Sequence, residues 1–237
     1  MRPKYKVLLI TDSLAFPRLE PEYVLYEETY ISYLKGAFND CDFIHQGRGG
    51  ATIVDLYKHS AYYHETLRPD LVLMQCGIVD CAPRALTVIE QQIVSRLPII
   101  GGLVTALVKK YSRQLRRTRR MTYTSVAAFS SSVHQFESLF SKVYWIGILP
   151  ATADYDAKVE GIERNIAMYN DILRQRNYVP TDDFDASMIM SDHHHLNRVG
   201  HVRMFEKIAD IIRAEMARRS VAEPLAQTPG PIARVED

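Results

Sequence analysis

Short apolar runs alternate with stretches of helical periodicity along this chain. The run KVLLI at residues 6–10 is the clearest: consecutive Val, Leu and Ile leave no face for water, as in a strand buried on both sides. CDFIHQ at 41–46, DLVLMQCG at 70–77 and KVYWIGILP at 142–150 read as the next three strands, and SMIM at 187–190 as a short fifth. Between them, Tyr23, Tyr26, Tyr30, Leu34 and Ala37 recur at helical spacing over 22–38, as do Ile162, Ile166, Tyr169, Ile172 and Leu173 over 159–175. A last helix is expected over 196–218, with Val199, Val202, Phe205, Ile208, Ile212 and Met216 as its apolar stripe. Strands alternating with helices imply an α/β fold, a parallel sheet covered on both faces with its working groups at the carboxyl ends of the strands.

No linker interrupts this pattern, so the 237 residues read as a single domain over 1–219 with a helical insert around 85–140. The tail from 220 to 237 has three prolines and no periodicity, which predicts disorder. Apolar residues at 47% and charged residues at 24% supply a sizeable core. The start of the chain lacks the features of a secretion signal. The longest apolar run, LPIIGGLVTALV at 97–108, falls short of the roughly 20 residues a spanning helix needs. Cys41, Cys76 and Cys81 are an odd number and suit buried apolar positions in a reducing compartment, from which a cytoplasmic location is expected.

Chemistry concentrates just past the first strand, in VLLITDSLAFPR at 7–18. Ser13 stands where the backbone must turn sharply and amide groups can point at a bound oxyanion. A serine is unreactive at neutral pH unless a histidine lies within hydrogen-bond reach, itself oriented by a carboxylate. SDHHHLNRVGH at 191–201 offers both: Asp192 precedes His195 by three residues, so a tight turn can lay the carboxylate on the imidazole. Three consecutive histidines could equally be a solvated loop or a metal site; Asp192 and the following LN and GH pairs favour the catalytic reading. Asp12 reads as a turn-forming residue.

These residues resemble the SGNH/GDSL hydrolases, serine esterases and acyltransferases with a flavodoxin-like three-layer sandwich. The resemblance runs through four blocks from residue 6 to about residue 212. Thr11-Asp12-Ser13-Leu14 matches GDSL with threonine for the first glycine, and implies Ser13 as nucleophile. In QGRGGAT, 46–52, Gly50 matches the glycine whose N–H joins that of Ser13 in the oxyanion hole. The run from Asp192 to His201 follows DGxHLNxxGH, implying His195 as general base and Asp192 as its partner, with His193 at the glycine position. The resemblance implies no cofactor or metal.

The third block departs. GxND appears as Gly77-Ile78-Val79-Asp80, so an oxyanion-donating amide is replaced by Val79, which cannot donate. Another donor fills the gap, the reaction is specialised, or catalysis is gone; the intact Ser13, Asp192 and His195 favour an active, divergent enzyme. Arg18 and Arg84 each follow a proline at a strand end and are candidates, with Asp80, for substrate binding; they could converge on an anionic substrate or supply the missing stabilisation. The alternative for the arginines is surface ion pairing, with Asp80 an available partner.

The formal charge of +1 gives no global case for nucleic acid, and none is expected as a partner. One local cluster exists: seven of the twelve residues from 109 to 120 are Lys or Arg, directly after the apolar run. Such a segment is a packed helix with a solvated basic end, a lid, or a peripheral membrane contact over 97–120. The expected activity is ester hydrolysis or acyl transfer through an acyl-Ser13 intermediate, on a small-molecule or carbohydrate ester such as those of surface polysaccharides. A non-catalytic carbohydrate- or acyl-binding module is the alternative that Val79 motivates.

Overall fold

The computed structural model describes residues 4–60, 64–98 and 100–222. Five strands, β1 (Tyr5–Thr11), β2 (Cys41–Gly47), β3 (Leu71–Gln75), β4 (Val143–Ile146) and β5 (Tyr178–Val179), form one sheet. Their order is β2-β1-β3-β4-β5 and every neighbouring pair is parallel. Val7, Leu8, Leu9 and Ile10 are fully buried, because β1 is central and helices cover both faces.

The helices follow in the order α1 (Tyr30–Ala37), α2 (Ile53–Ser60), α3 (His64–Leu67), α4 (Ile78–Cys81), α5 (Val88–Arg96) and α6 (Ile100–Lys110). Then come α7 (Ser112–Arg119), α8 (Val126–Leu139), α9 (Ala153–Lys158), α10 (Ile162–Arg174) and α11 (Arg198–Ala222). Helix α1 packs against α11, while α8 packs against α2 and α10. The sequence runs outward from β1 to β2, then crosses back to β3 on the other side. That reversal opens a crevice at the carboxyl ends of β1 and β3, where Ser13 and Gly77 follow.

Three expected elements differ. SMIM does not join the sheet: Ile189 pairs in isolation with Leu196, and Met190 N–H donates to the His195 carbonyl, so this segment ties down its own loop. The fifth strand is instead Tyr178–Val179, too short to show a period in sequence. The helix expected over 22–38 begins only at Tyr30, where the Thr29 hydroxyl caps the Ser32 N–H; Tyr23 and Tyr26 lie outside it and are exposed. The helix expected over 159–175 is α10, which starts only at Ile162, after Gly161 with φ 86°; the short α9 ends before it at Lys158. Of the tail expected to be disordered, 220–222 continue α11 and the rest lies outside the described residues.

The stripe of α11 is also shifted. Val199 and Val202 face solvent, whereas Gly200, His201, Met204, Ile208 and Ile212 are buried. A β-carbon on Gly200 would strike the Met188 carbonyl and the Leu196 side chain, so only glycine lets α11 start this close to the loop before it. Gly200→Ala is expected to destabilise the fold by roughly 1–3 kcal/mol. Gly36→Ala, on α1 with open space around the new methyl group, should raise stability instead. Thermal melts of the two variants test the contrast; equal melting temperatures would remove the steric account.

The segment between β3 and β4 holds α4 to α8. Its apolar run does not pack inward: Leu103 is 65% and Leu107 48% exposed on α6, and Ile89 and Ile93 of α5 are exposed beside it. Arg119 of α7 grips Glu90 of α5 with two hydrogen bonds of 2.8 and 2.6 Å. Among the described residues no helix is long and apolar enough to cross a membrane. Cys41, Cys76 and Cys81 are free and buried.

Candidate active site

Strand β1 ends at Thr11, and the next residue turns the chain. Asp12 accepts the Leu14 N–H at 3.0 Å and caps a single 3-10 turn, Ser13–Ala15, while its own N–H continues the ladder onto the Gln75 carbonyl at 2.9 Å. Asp12 is therefore the turn-forming residue expected, and Ser13 is carried into the crevice half-buried.

From the far end of the chain, the loop before α11 brings His195 to Ser13. His195 Nδ1–H donates to Asp192 Oδ2 at 2.7 Å, which leaves Nε2 as acceptor for the Ser13 hydroxyl at 3.0 Å. Asp192 Oδ1 also accepts the backbone N–H groups of His194 and His195, at 3.2 and 3.1 Å. Burial works to raise the Asp192 pKa, but the hydrogen bond and charge of His195 outweigh it and hold the carboxyl well below the usual range. Asp192, His194 and His195 present ligand atoms within 4.8 Å of one another, as a metal site would. Yet the carboxylate and Nδ1 are already spent on each other, the orientation a general base requires.

The rest of this motif has structural work. Asn197 donates to the Ser187 carbonyl and accepts the Gly200 N–H, capping α11. His201 is fully buried and accepts the Tyr30 N–H at the start of α1; burial, and next the Arg18 charge, depress its pKa to about 4. His193 adopts φ 71°, a left-handed conformation that explains a glycine preference there. Its ring is held by Tyr155, stacked at 5.8 Å, and by hydrogen bonds with Thr152 and Lys158. Nothing in the sequence pointed to Tyr155, Thr152 or Lys158, because they sit on α9 or cap it and meet the loop only in the fold.

Gly49 and Gly50 turn beside Ser13, and a β-carbon on Gly49 would lie 3.9 Å from that of Ser13. Gly50 has φ 67°, and among the described residues neither its N–H nor that of Ser13 has an acceptor. Val79 is half-buried and packed against the core in α4. Arg18 is pinned by a pair of backbone hydrogen bonds with Val24, 2.9 and 2.8 Å, and its guanidinium meets His195 Nε2, sharing that atom with Ser13.

Two expected substrate contacts are not where the sequence put them. Asp80 is fully buried and accepts the Ile53 N–H and the Thr124 hydroxyl, so it cannot touch a ligand or pair with Arg84. It ties α2 to the loop before α8. Arg84 stacks on the Tyr123 ring at 4.2 Å and donates to the Val79 carbonyl, with no contact to Arg18.

Burial pushes the Asp12 pKa up to about 7, opposed by the Leu14 hydrogen bond and reinforced by Asp80; burial likewise pushes Asp80 to about 6, against its hydrogen bonds to Thr124 and Ile53. Both groups bind protons more tightly folded than unfolded. Their contribution to stability is therefore greatest below about pH 4 and is lost as pH rises toward 7. Asp12→Asn should flatten this slope, read as urea midpoints at pH 5 and pH 8; an unchanged slope would assign the dependence elsewhere.

No protein-family model and no curated protein sequence matches this chain. Solved structures do. A lipase/acylhydrolase from Enterococcus faecalis superimposes with a TM-score of 0.61 at 15% identity, over 88% of this chain and 95% of that one. The chain shares the fold of that hydrolase. A catalytic mutant of an acetylxylan esterase from Geobacillus stearothermophilus aligns at 0.55 and 15% identity, over 86% and 92%. A psychrotrophic esterase from Pseudoalteromonas sp., inhibited by monoethylphosphonate, aligns at 0.53 and 13% identity, over 90% and 100%. Catalytic mutants of the acetylxylan esterase replace a serine near its N-terminus and an aspartate and a histidine three residues apart. The five-stranded parallel sheet between helices is thus the flavodoxin-like fold expected.

Proposed function

We propose that this chain is a serine ester hydrolase of the SGNH type. The observation that carries the reading is the continuous hydrogen-bonded relay from Asp192 through His195 to Ser13, assembled from residues about 180 positions apart. His195 Nε2 takes the Ser13 proton as Oγ attacks the ester carbonyl, and Asp192 stabilises the imidazolium that forms. The N–H groups of Ser13 and Gly50 receive the oxyanion. Collapse expels the alcohol, protonated by His195, and leaves an acyl-serine; water activated by the same imidazole then releases the acid. A sugar hydroxyl in place of that water would make the reaction a transfer.

The same relay types at the same aspartate–histidine spacing in the acetylxylan esterase support this reading, and make acetylated carbohydrates the first substrate class to assay. Arg18 is the donor that replaces the missing amide. Once substrate enters, its guanidinium leaves His195 Nε2 for the adjacent oxyanion, freeing the lone pair that Ser13 needs. The test is serine-directed labelling with a fluorophosphonate. Wild-type protein is expected to form a covalent adduct at Ser13; protein that takes up no label is not this enzyme.

A further inference from the structure

We infer, resting on the esterase reading, that an arginine-lined pocket between α7 and α10 receives a phosphoryl group on the part of the substrate that does not react. The pocket holds about 270 Å3 and is lined by Arg116, Arg117, Arg120 and Arg164, with Pro83 and Glu160. Four arginines thus line it with a single carboxylate. Glu160 is engaged at 3.6 and 3.8 Å by Arg113 and Arg117. Among the described residues the side chains of Arg120 and Arg164 have no hydrogen bond or ion pair. Arg116 donates through Nη1 to the Lys158 carbonyl at 3.4 Å, but its Nε–H is buried with no partner. A buried guanidinium donor without an acceptor is costly, and an anion would satisfy it. Several donors converging from two helices suit a multiply charged tetrahedral group better than a single planar carboxylate.

The pocket is coupled to the catalytic loop. Lys158, whose carbonyl takes Arg116, hydrogen-bonds with its ammonium to His193 Nε2 at 2.7 Å. Tyr155 of α9 stacks on His193 and His194, within range of the charges of both Arg116 and Asp192. A substrate with its acyl ester at Ser13 and a phosphoryl group beyond Tyr155 would span the two. The pocket gives no sequence signal because Arg164 lies more than forty residues from the basic run it joins.

Isothermal titration with inorganic pyrophosphate tests the pocket apart from catalysis, since it can be run on the Ser13→Ala protein. Wild-type and Ser13→Ala proteins should bind it alike. Arg164→Gln should weaken binding by about tenfold, Arg164→Lys by less, and Arg120→Gln/Arg164→Gln by more. Both side chains are exposed and unpaired, so folding is not at risk; Arg96→Gln on α5 is the control. No binding to wild type, or equal binding to the double variant, overturns the proposal. On acetylated hexose 1-phosphate against the unphosphorylated acetylated hexose, KM should be about tenfold lower. Arg164→Gln should erase that preference with kcat unchanged. Equal KM values in wild type overturn the substrate assignment. Co-sedimentation with equimolar phosphatidylcholine–phosphatidylglycerol vesicles that requires Arg164, with pyrophosphate silent, would assign the arginines to a membrane and overturn it as well.

Discussion

Ser13→Ala is expected to cut kcat for p-nitrophenyl acetate by about a millionfold, to the level left by binding and oxyanion contacts alone. The size follows from the relay acting as a unit. Without Oγ there is no nucleophile, and His195 has nothing to deprotonate at 3.0 Å. Asp192→Asn should cost about ten-thousandfold while leaving the fold intact, because an amide at Oδ2 would face the imidazole with a donor and favour the wrong tautomer. His195→Ala should match Ser13→Ala, and the double variant should be no worse than either. Intact mass after fluorophosphonate treatment reads the same chemistry directly. Turnover or labelling that survives in Ser13→Ala would remove Ser13 from the mechanism.

Arg18→Gln is expected to lower kcat about a hundredfold with little change in KM, and Val79→Asn in the same chain to restore most of the loss. Val79 supplies no donor, so in the proposed mechanism the oxyanion has the N–H groups of Ser13 and Gly50 and the charge of Arg18. Its backbone is clamped by Val24 on both sides, and its guanidinium stands against the imidazole atom beside which the oxyanion forms. Contacts made only in the transition state appear in kcat rather than KM. A glutamine is neutral and shorter, and an asparagine at 79 returns the amide by the other route. If Arg18→Gln instead raises kcat, the guanidinium merely blocks His195, and the donor role is wrong.

Much of this was legible in residues close together in the chain. KVLLI reads as a strand buried on both faces, and Asp192 three residues before His195, with the LN and GH pairs that follow, marks a unit. Single positions were harder to read. Asp80 looked available because a charged residue at a strand end is usually solvated, yet two donors from separate segments, the Ile53 N–H and the Thr124 hydroxyl, take it out of water. Arg84 looked like a second clamp until Tyr123 captured its guanidinium face. Periodicity also misjudged Val199 and Val202. The buried face of α11 is set by the close approach permitted at Gly200, not by where the aliphatic residues fall.

The sequence by itself determined the α/β class, the strand that carries Ser13 and the pairing of Asp192 with His195, because each depends on burial periodicity or on spacing within a few residues. Only the tertiary structure decided that Ser13 and His195 meet, that Arg18 shares Nε2, that Asp80 is structural, and that Arg116 and Arg164 enclose one pocket. Those facts depend on which chain ends the parallel crossovers bring to one rim of the sheet, and no local pattern encodes contacts made across 182 residues.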